Sequence, residues 1–275
     1  MPEGPPTAPP SPSLKAPTGT GVVRYRILGP VEVWSVRGWR GIPQAKCRAL
    51  LAVLLINANR LVPSEDLERQ LWSDQSPCTP RKLVQHYVHR LRRLLHDPRG
   101  QALCTRPNGY QLNVAADDVD VEEFKALVAV GRRTLATGAA DAAAAELGRA
   151  LALWRGPAMA DVLDVPAVAG SAARLTELRL NATEAWIRAE VNCGRSDVMV
   201  AELESLIAEH PLREHFWELL MVALHKAGRQ AEALAASRRL RRMLREDLGI
   251  DPCSNVQRLE RAILLGEDVD VSRLG

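Results

Sequence analysis

Between Thr79 and Leu95 the chain carries Arg81, Lys82, Arg90, Arg92 and Arg93, interleaved with Gln85, His86 and His89, and no Asp or Glu. That density of guanidinium and ammonium groups is chemistry for a polyanion, because each can neutralise a phosphate. A guanidinium can also bridge O6 and N7 of guanine, and a carboxamide can do the same for adenine. At 100° per residue, Lys82, Gln85, His86, His89 and Arg93 centre one helix face, with Arg81, Arg90 and Arg92 at its borders. Val84, Tyr87, Val88, Leu91, Leu94 and Leu95 form the apolar stripe opposite. Two of the cations, Arg81 and Lys82, sit in the first turn, where the helix macrodipole disfavours them by ~0.3–1 kcal/mol each. A bound phosphate relieves that penalty. Arg106 follows near the tip of LCTRPNGYQLNV (103–114), where Asn-Gly signals a two-residue hairpin turn.

Other chemistries find little to work with. His86 and His89 share a helix face, and Cys78 and Cys104 lie near in sequence, but no second Cys or His pair stands at finger or ribbon spacing. No metal is expected. G-x-S-x-G, H-E-x-x-H and a phosphate-binding loop are absent, and the nearest dinucleotide-like glycines, Gly19 and Gly21, fall in a Pro-rich stretch. No enzyme activity and no cofactor are expected. Five cysteines, odd in number and scattered, argue against a disulfide framework and for a reducing compartment.

The elements that must hold the basic face are legible in turn. Residues 1–21 are Pro, Ser, Thr, Ala and Gly with little to bury, which predicts a disordered arm. VVRYRILGPVEVWSV (22–36) alternates apolar and polar residues around Gly29-Pro30, predicting two short strands joined by a turn. AKCRALLAVLLINAN (45–59) predicts a buried helix stopped at Asn57 to Asn59. Ser64 then caps a short helix over Glu65–Trp72, with carboxylates in its first turn. After SDQSPC (73–78), Thr79 as N-cap and Pro80 as first residue open the basic helix, expected to reach about Leu95. Strands, three helices with a basic third, then a hairpin describe a winged helix-turn-helix. In that fold the third helix enters the major groove, about 12 Å wide, with the hairpin beside it.

Charge supports a division of labour. The chain of 275 residues has a net charge of +3, yet residues 1–115 hold 16 Lys and Arg against 7 Asp and Glu, and residues 116–275 hold 20 against 26. A basic module for a polyanion and an acidic module for protein contacts are implied. No uninterrupted apolar run is long enough to span a membrane and no secretory leader is evident, so a cytoplasmic protein is expected.

From Val121 onward the pattern is helical and rich in alanine. CGRSDVMVAELESLI (193–207) aligns with AGRQAEALAASRRLR (227–241), placing Gly194 and Gly228 34 residues apart, the tetratricopeptide period. Gly138 opens a looser third copy. Ala145, Ala201 and Ala235 share one offset and are expected to let paired helices approach closely. The six tryptophans, Trp34, Trp39, Trp72, Trp154, Trp186 and Trp217, read as packing anchors. The basic run SRRLRRMLRE (237–246) reads as a solvated helix end.

With these residues assembled, a family resemblance is plain. RALLAVLLINANRLV, EDLERQLW, LVQHYVHRLRRLL and RPNGYQL resemble the OmpR-type winged helix of the Streptomyces antibiotic regulatory proteins. VDVEEF, LALWRG and LREDLGIDPCSNVQRLERAIL resemble their bacterial transcriptional activation domain, together covering Val22 to Leu265. The resemblance implies an activator of a biosynthetic gene cluster. Such proteins bind direct repeats upstream of promoters, as head-to-tail protomers, and help recruit RNA polymerase through its principal sigma factor. With no G-x-x-x-x-G-K-[ST] loop, the short form without an ATPase is implied. Tyr87, His89, Arg90, Arg92 and Arg93 then fall where the family's recognition helix touches DNA, and Arg106 falls on the wing. Arg90 and Arg93 are assigned to guanine and Gln85 to adenine, with Arg81, Lys82 and Arg92 on phosphates. Packing of the Arg90 stem against the helix is the alternative at that position.

The expected fold is therefore mostly α: a winged helix-turn-helix over 22–115, then an all-α tetratricopeptide-like domain over 116–266, with an arm at 1–21 and a flexible tail at 267–275. Deleting 116–275 is expected to spare single-site DNA binding and abolish activation, with the loop 73–78 and the acidic surface as candidate polymerase contacts. The rival reading is a helical-repeat adaptor that binds proteins and touches nucleic acid only weakly.

Overall fold

A computed structural model describes residues 25–35, 38–72, 77–267 and 269. The expected arm (1–21), most of the loop 73–78 and nearly all of the tail (267–275) lie outside them. Two compact units emerge, one made of the chain up to Leu127 with Arg149–Arg179, the other of Val128–Gly148 with Leu180 onward.

The first unit begins with an antiparallel sheet, β1 (Tyr25–Arg26), β2 (Glu32–Ser35) and β3 (Gly38–Gly41), in that order. Two strands were expected here; the third, GWRG, was missed because flanking glycines leave no alternation to read. Trp34 faces Trp39 across β2 and β3, ring centroids 5.3 Å apart and edge to face, and the Arg26 guanidinium lies 3.8 Å from the centre of the Trp39 ring.

Helix α1 (Ala45–Ile56) is apolar on nearly every side and buried from Ala49 to Leu55, as the run of aliphatic residues demands. Strand β4 (Leu61–Pro63) leads directly into α2 (Ser64–Trp72), which buries Leu67 and Leu71. Helix α3 (Pro80–Leu94) follows, then the hairpin of β5 (Leu103–Arg106) and β6 (Gly109–Leu112). β6 lies between β4 and β5 in a second antiparallel sheet. Three helices, the third of them basic, and a hairpin wing reproduce the winged helix-turn-helix expected from the chain.

Helices fill the remainder: α4 (Asp120–Ala136), α5 (Ala140–Leu151), α6 (Pro166–Asn192), α7 (Ser196–Glu209), α8 (Glu214–Lys226), α9 (Gln230–Leu248) and α10 (Ser254–Leu265). In the second unit α8 is the buried axis, with every residue from Phe216 to Leu224 buried and its apolar members packed with apolar side chains of α6, α7, α9 and α10. Trp217 anchors it, donating its indole N–H to the Pro211 carbonyl at 2.9 Å. Gly138, Gly194 and Gly228 all adopt left-handed φ (82°, 79° and 74°), so the three repeat copies share one turn. The expectation for Ala145, Ala201 and Ala235 fails, because all three face solvent. The enclosed position lies two residues earlier, at Ala143, Met199 and Ala233. On α9 the basic run splits: Leu240 and Leu244 are buried, and Arg239, Arg241 and Arg245 pair with Glu204, Glu260 and Asp251.

Candidate nucleic-acid interface

The basic face lies on α3, and it is outward. Arg81, Lys82, Gln85, His86, His89, Arg90 and Arg93 are all exposed, while Val84, Tyr87, Val88, Leu91 and Leu95 are buried and Leu94 half-buried. This is the division that the 100° spacing dictates. Tyr87, expected near DNA, does not lie on this face. It is only 8% exposed, its ring is stacked on Trp72 with centroids 6.3 Å apart, and burial pushes its hydroxyl pKa up. Tyr87 belongs to the core under the face.

The start of α3 differs from expectation in a telling way. Thr79 precedes the first turn, but its φ and ψ of −138° and 62° bring no side-chain hydrogen bond to the helix amides. Pro80 begins the helix and no acidic residue follows in the first turn. The helix thus presents amides without a side-chain cap next to Arg81 and Lys82, the arrangement that receives an anion.

Arg92 was expected on a phosphate, and the structure commits it elsewhere. Its Nε and one terminal nitrogen donate to the Leu103 carbonyl at 3.0 and 2.7 Å, and the same nitrogen donates to Thr105 Oγ1 at 2.8 Å. Arg92 thus ties the recognition helix to the first wing strand. Asp97, which the sequence reading passed over, completes the tie. Its carboxylate, 8% exposed, accepts the amides of Gln101, Ala102 and Leu103 at 2.7, 3.0 and 2.8 Å. Between α3 and β5, His96 and Gly100 take positive φ (51° and 64°), which folds the connection tightly enough for both ties to form. The only hint in the sequence is a carboxylate directly after a basic helix and before a strand.

The wing forms where Asn108-Gly109 placed it, but for another reason. Arg106 pairs with Gly109, so the two turn residues are Pro107 and Asn108. Gly109 needs no unusual φ; a Cβ there would stand 2.1 Å from the Val62 carbonyl oxygen of β4. Its glycine permits the close approach of three strands. Arg106 is exposed at the wing end, its Nε donating to Gln111 Oε1 at 3.2 Å, and Gln111 donates to the Asn59 carbonyl at 3.3 Å. Burial raises the Tyr110 hydroxyl pKa while the charges of Arg92 and Arg81 oppose it, so the start of α3 and the wing share one electrostatic neighbourhood. On the other border, burial raises the Cys47 thiol pKa on α1 and the charge of Arg90 lowers it. Arg90 therefore flanks α1 while remaining exposed.

Among the described residues no group of three or more His, Cys, Asp and Glu side chains is placed to hold a metal, and no helix is long and apolar enough to cross a membrane. The arrangement offers cations, amides and a carboxamide on one protruding helix, beside a short β wing.

This fold and face define a winged helix-turn-helix transcriptional regulator with an appended helical domain. Residues 43–112 match the family model described as "Transcriptional regulatory protein, C terminal", and residues 119–264 match "Bacterial transcriptional activator domain". The chain belongs to the family of regulators that joins these two domains, the Streptomyces antibiotic regulatory proteins. It is 37% identical over 256 residues to the transcriptional regulatory protein EmbR of Mycobacterium tuberculosis, covering 90% of this chain and 65% of that protein. It is 35% identical over 251 residues to the regulatory protein DnrI of Streptomyces peucetius, covering 88% of this chain and 92% of that one. The solved structure of M. tuberculosis EmbR in complex with a low-affinity phosphopeptide superposes with a TM-score of 0.86 at 36% identity, over 90% of this chain and 66% of that chain.

Proposed function

We propose that this protein is a sequence-specific DNA-binding activator of a biosynthetic gene cluster. It binds direct repeats upstream of the promoter as head-to-tail protomers, and its helical domain helps recruit RNA polymerase with the principal sigma factor. Such work is done on chromosomal DNA in the cytoplasm. The observation that carries the reading is the exposed, carboxylate-free face of α3, with Lys82, Gln85, His86, His89 and Arg93 at its centre and Arg106 on the adjoining wing. Lys82 and Arg81 at the open helix start serve phosphates, which set register. Arg93 and Arg90 serve guanine, and Gln85 serves adenine. Spacing of neighbouring protomers by about one helical turn, roughly 10–11 base pairs, places them on one face of the duplex.

The test is a footprint on DNA upstream of neighbouring genes, repeated with two variants. Arg93→Ala is expected to weaken specific binding by ~1–3 kcal/mol and relax preference at one base pair; Lys82→Ala is expected to weaken all sequences alike and reduce the salt slope by about 1. Unchanged patterns in both variants remove α3 as the reading helix.

A further inference from the structure

The corner between β1 and β2 is buried except at Pro30, with Ile27 at 3% exposure and Leu28 and Val31 at 0%. A corner has no ladder to satisfy its polar groups, so each buried amide and carbonyl needs another partner. All the partners found come from residues 120–161, beyond the 43–112 match to the regulator's DNA-binding family. Ile27 donates its amide to both oxygens of Asp120 at 2.9 and 3.1 Å, and Leu28 donates to the second oxygen at 3.1 Å. Val31 donates to Asp161 Oδ1 at 3.0 Å. The carbonyls of Leu28 and Ile27 accept the amides of Arg155 and Met159 at 2.8 and 3.0 Å.

The same carboxylates reach the helices. The second oxygen of Asp161 lies 2.9 Å from Nε of Arg48 on α1, and the Arg48 guanidinium also donates to the Ile42 carbonyl at 2.6 Å and to the Asp161 carbonyl at 3.3 Å. Arg155 closes the other side, 2.8 Å from Glu32 and 3.7 Å from Asp120. At Gly29 (φ +147°) a Cβ would stand 3.0 Å from Cβ of Arg155, so the corner admits Arg155 this close only because residue 29 is glycine. Helix α1, held by Arg48, packs against α3 and feels the charge of Arg90 through Cys47.

We propose that Asp120 and Asp161 are positioning residues of the DNA reader. They hold the 27–31 corner and Arg48, and through α1 the seat of α3, so that the reader is complete only with residues 119–161. A reader cut at residue 115 leaves the amides of Ile27, Leu28 and Val31 without acceptors and Arg48 without its carboxylate. The proposal rests on the reading of α3 as the DNA-contacting helix.

The experiment uses the full chain and measures amide hydrogen exchange together with binding to mixed-sequence duplex DNA at low salt, well below the thermal transition. Near-ultraviolet circular dichroism confirms that each variant is folded. Asp161→Ala is expected to speed exchange at Val31 and along α1 and α3 by about tenfold or more, because charge-assisted hydrogen bonds are lost. Duplex binding should weaken several-fold. Asp161→Asn keeps an oxygen for Val31 but no charge for Arg48, and should fall between wild type and Asp161→Ala; it decides the matter should Asp161→Ala not fold. Lys82→Ala should weaken binding and leave exchange unchanged. A folded Asp161 variant that binds the duplex as wild type does, with unchanged exchange in α3, overturns the proposal. If the wild-type chain binds no duplex, the DNA reading falls, and exchange in α3 still decides whether Asp161 positions that helix.

Discussion

At the scale of single residues, neighbouring cations on α3 are put to different uses. Lys82, Gln85, His86, His89 and Arg93, near the middle of the polar arc, stay exposed, whereas Arg92 at its border is drawn onto the wing strand. Composition treats Arg92 and Arg93 alike; geometry does not. Arg92→Ala is therefore expected to act on the protein before it acts on the ligand. Losing donations to the Leu103 carbonyl and Thr105 should lower unfolding free energy by ~1–3 kcal/mol. It should leave the slope of log affinity against log salt nearly as in wild type, since no phosphate contact is removed. Urea unfolding and a salt titration of duplex binding measure both quantities. A slope reduced by about 1 at unchanged stability would return Arg92 to the phosphates.

Elements are where the wing gives its clearest prediction. Gly109→Ala adds a methyl group 2.1 Å from the Val62 carbonyl oxygen and 2.9 Å from Cα of Pro63, both backbone atoms that cannot rotate away. The variant should be destabilised by at least ~1–3 kcal/mol, read as a lowered Tm; a wild-type Tm contradicts the pairing of β4 with β6. The hairpin was legible in the chain because Asn-Gly marks turns, yet the glycine is needed for an interstrand approach that no local signal encodes. Helices α2 and α3 were equally legible, since each repeats apolar residues at helical spacing after a polar start, and α1 was legible from the length of its apolar run. β3 was not, because two glycines within four residues erase alternation. In the repeats the period was correct but the depth was misassigned. Small size at Ala145, Ala201 and Ala235 suggested close packing, whereas the helix phase puts Ala143, Met199 and Ala233 inside. Asp97 and Asp161 carry no motif signal in the sequence, and Asp120 enters only as part of VDVEEF. A carboxylate that serves backbone amides looks, in one dimension, like any solvated acid, whether those amides follow shortly after it, as for Asp97, or lie far along the chain, as for Asp120 and Asp161.

For the whole molecule, the near balance of charge hides carboxylates that have left water, Asp120 among them. Burial pushes the Asp120 pKa up from 3.8 to about 6, against the lowering effects of the Ile27 and Leu28 amides and of the Arg155 and Arg26 charges. Between pH 4 and 6 the folded chain therefore holds a proton at this site that the unfolded chain has released, and stability from this group falls as pH rises through that window. The contribution is fully present below about pH 4 and lost above about pH 6, a swing on the order of 3 kcal/mol at about 1.4 kcal/mol per pH unit. Asp120→Asn cannot titrate, so the difference between wild type and variant isolates this one group from every other acid in the chain. Urea unfolding at a series of pH values should show wild type gaining on Asp120→Asn by that amount as pH falls from about 7 to 4. A difference that moves the other way would mean that Arg155 and the two amides outweigh burial. Asp120 would then be a stabilising anion at neutral pH, and the corner would tighten as the solution becomes less acidic.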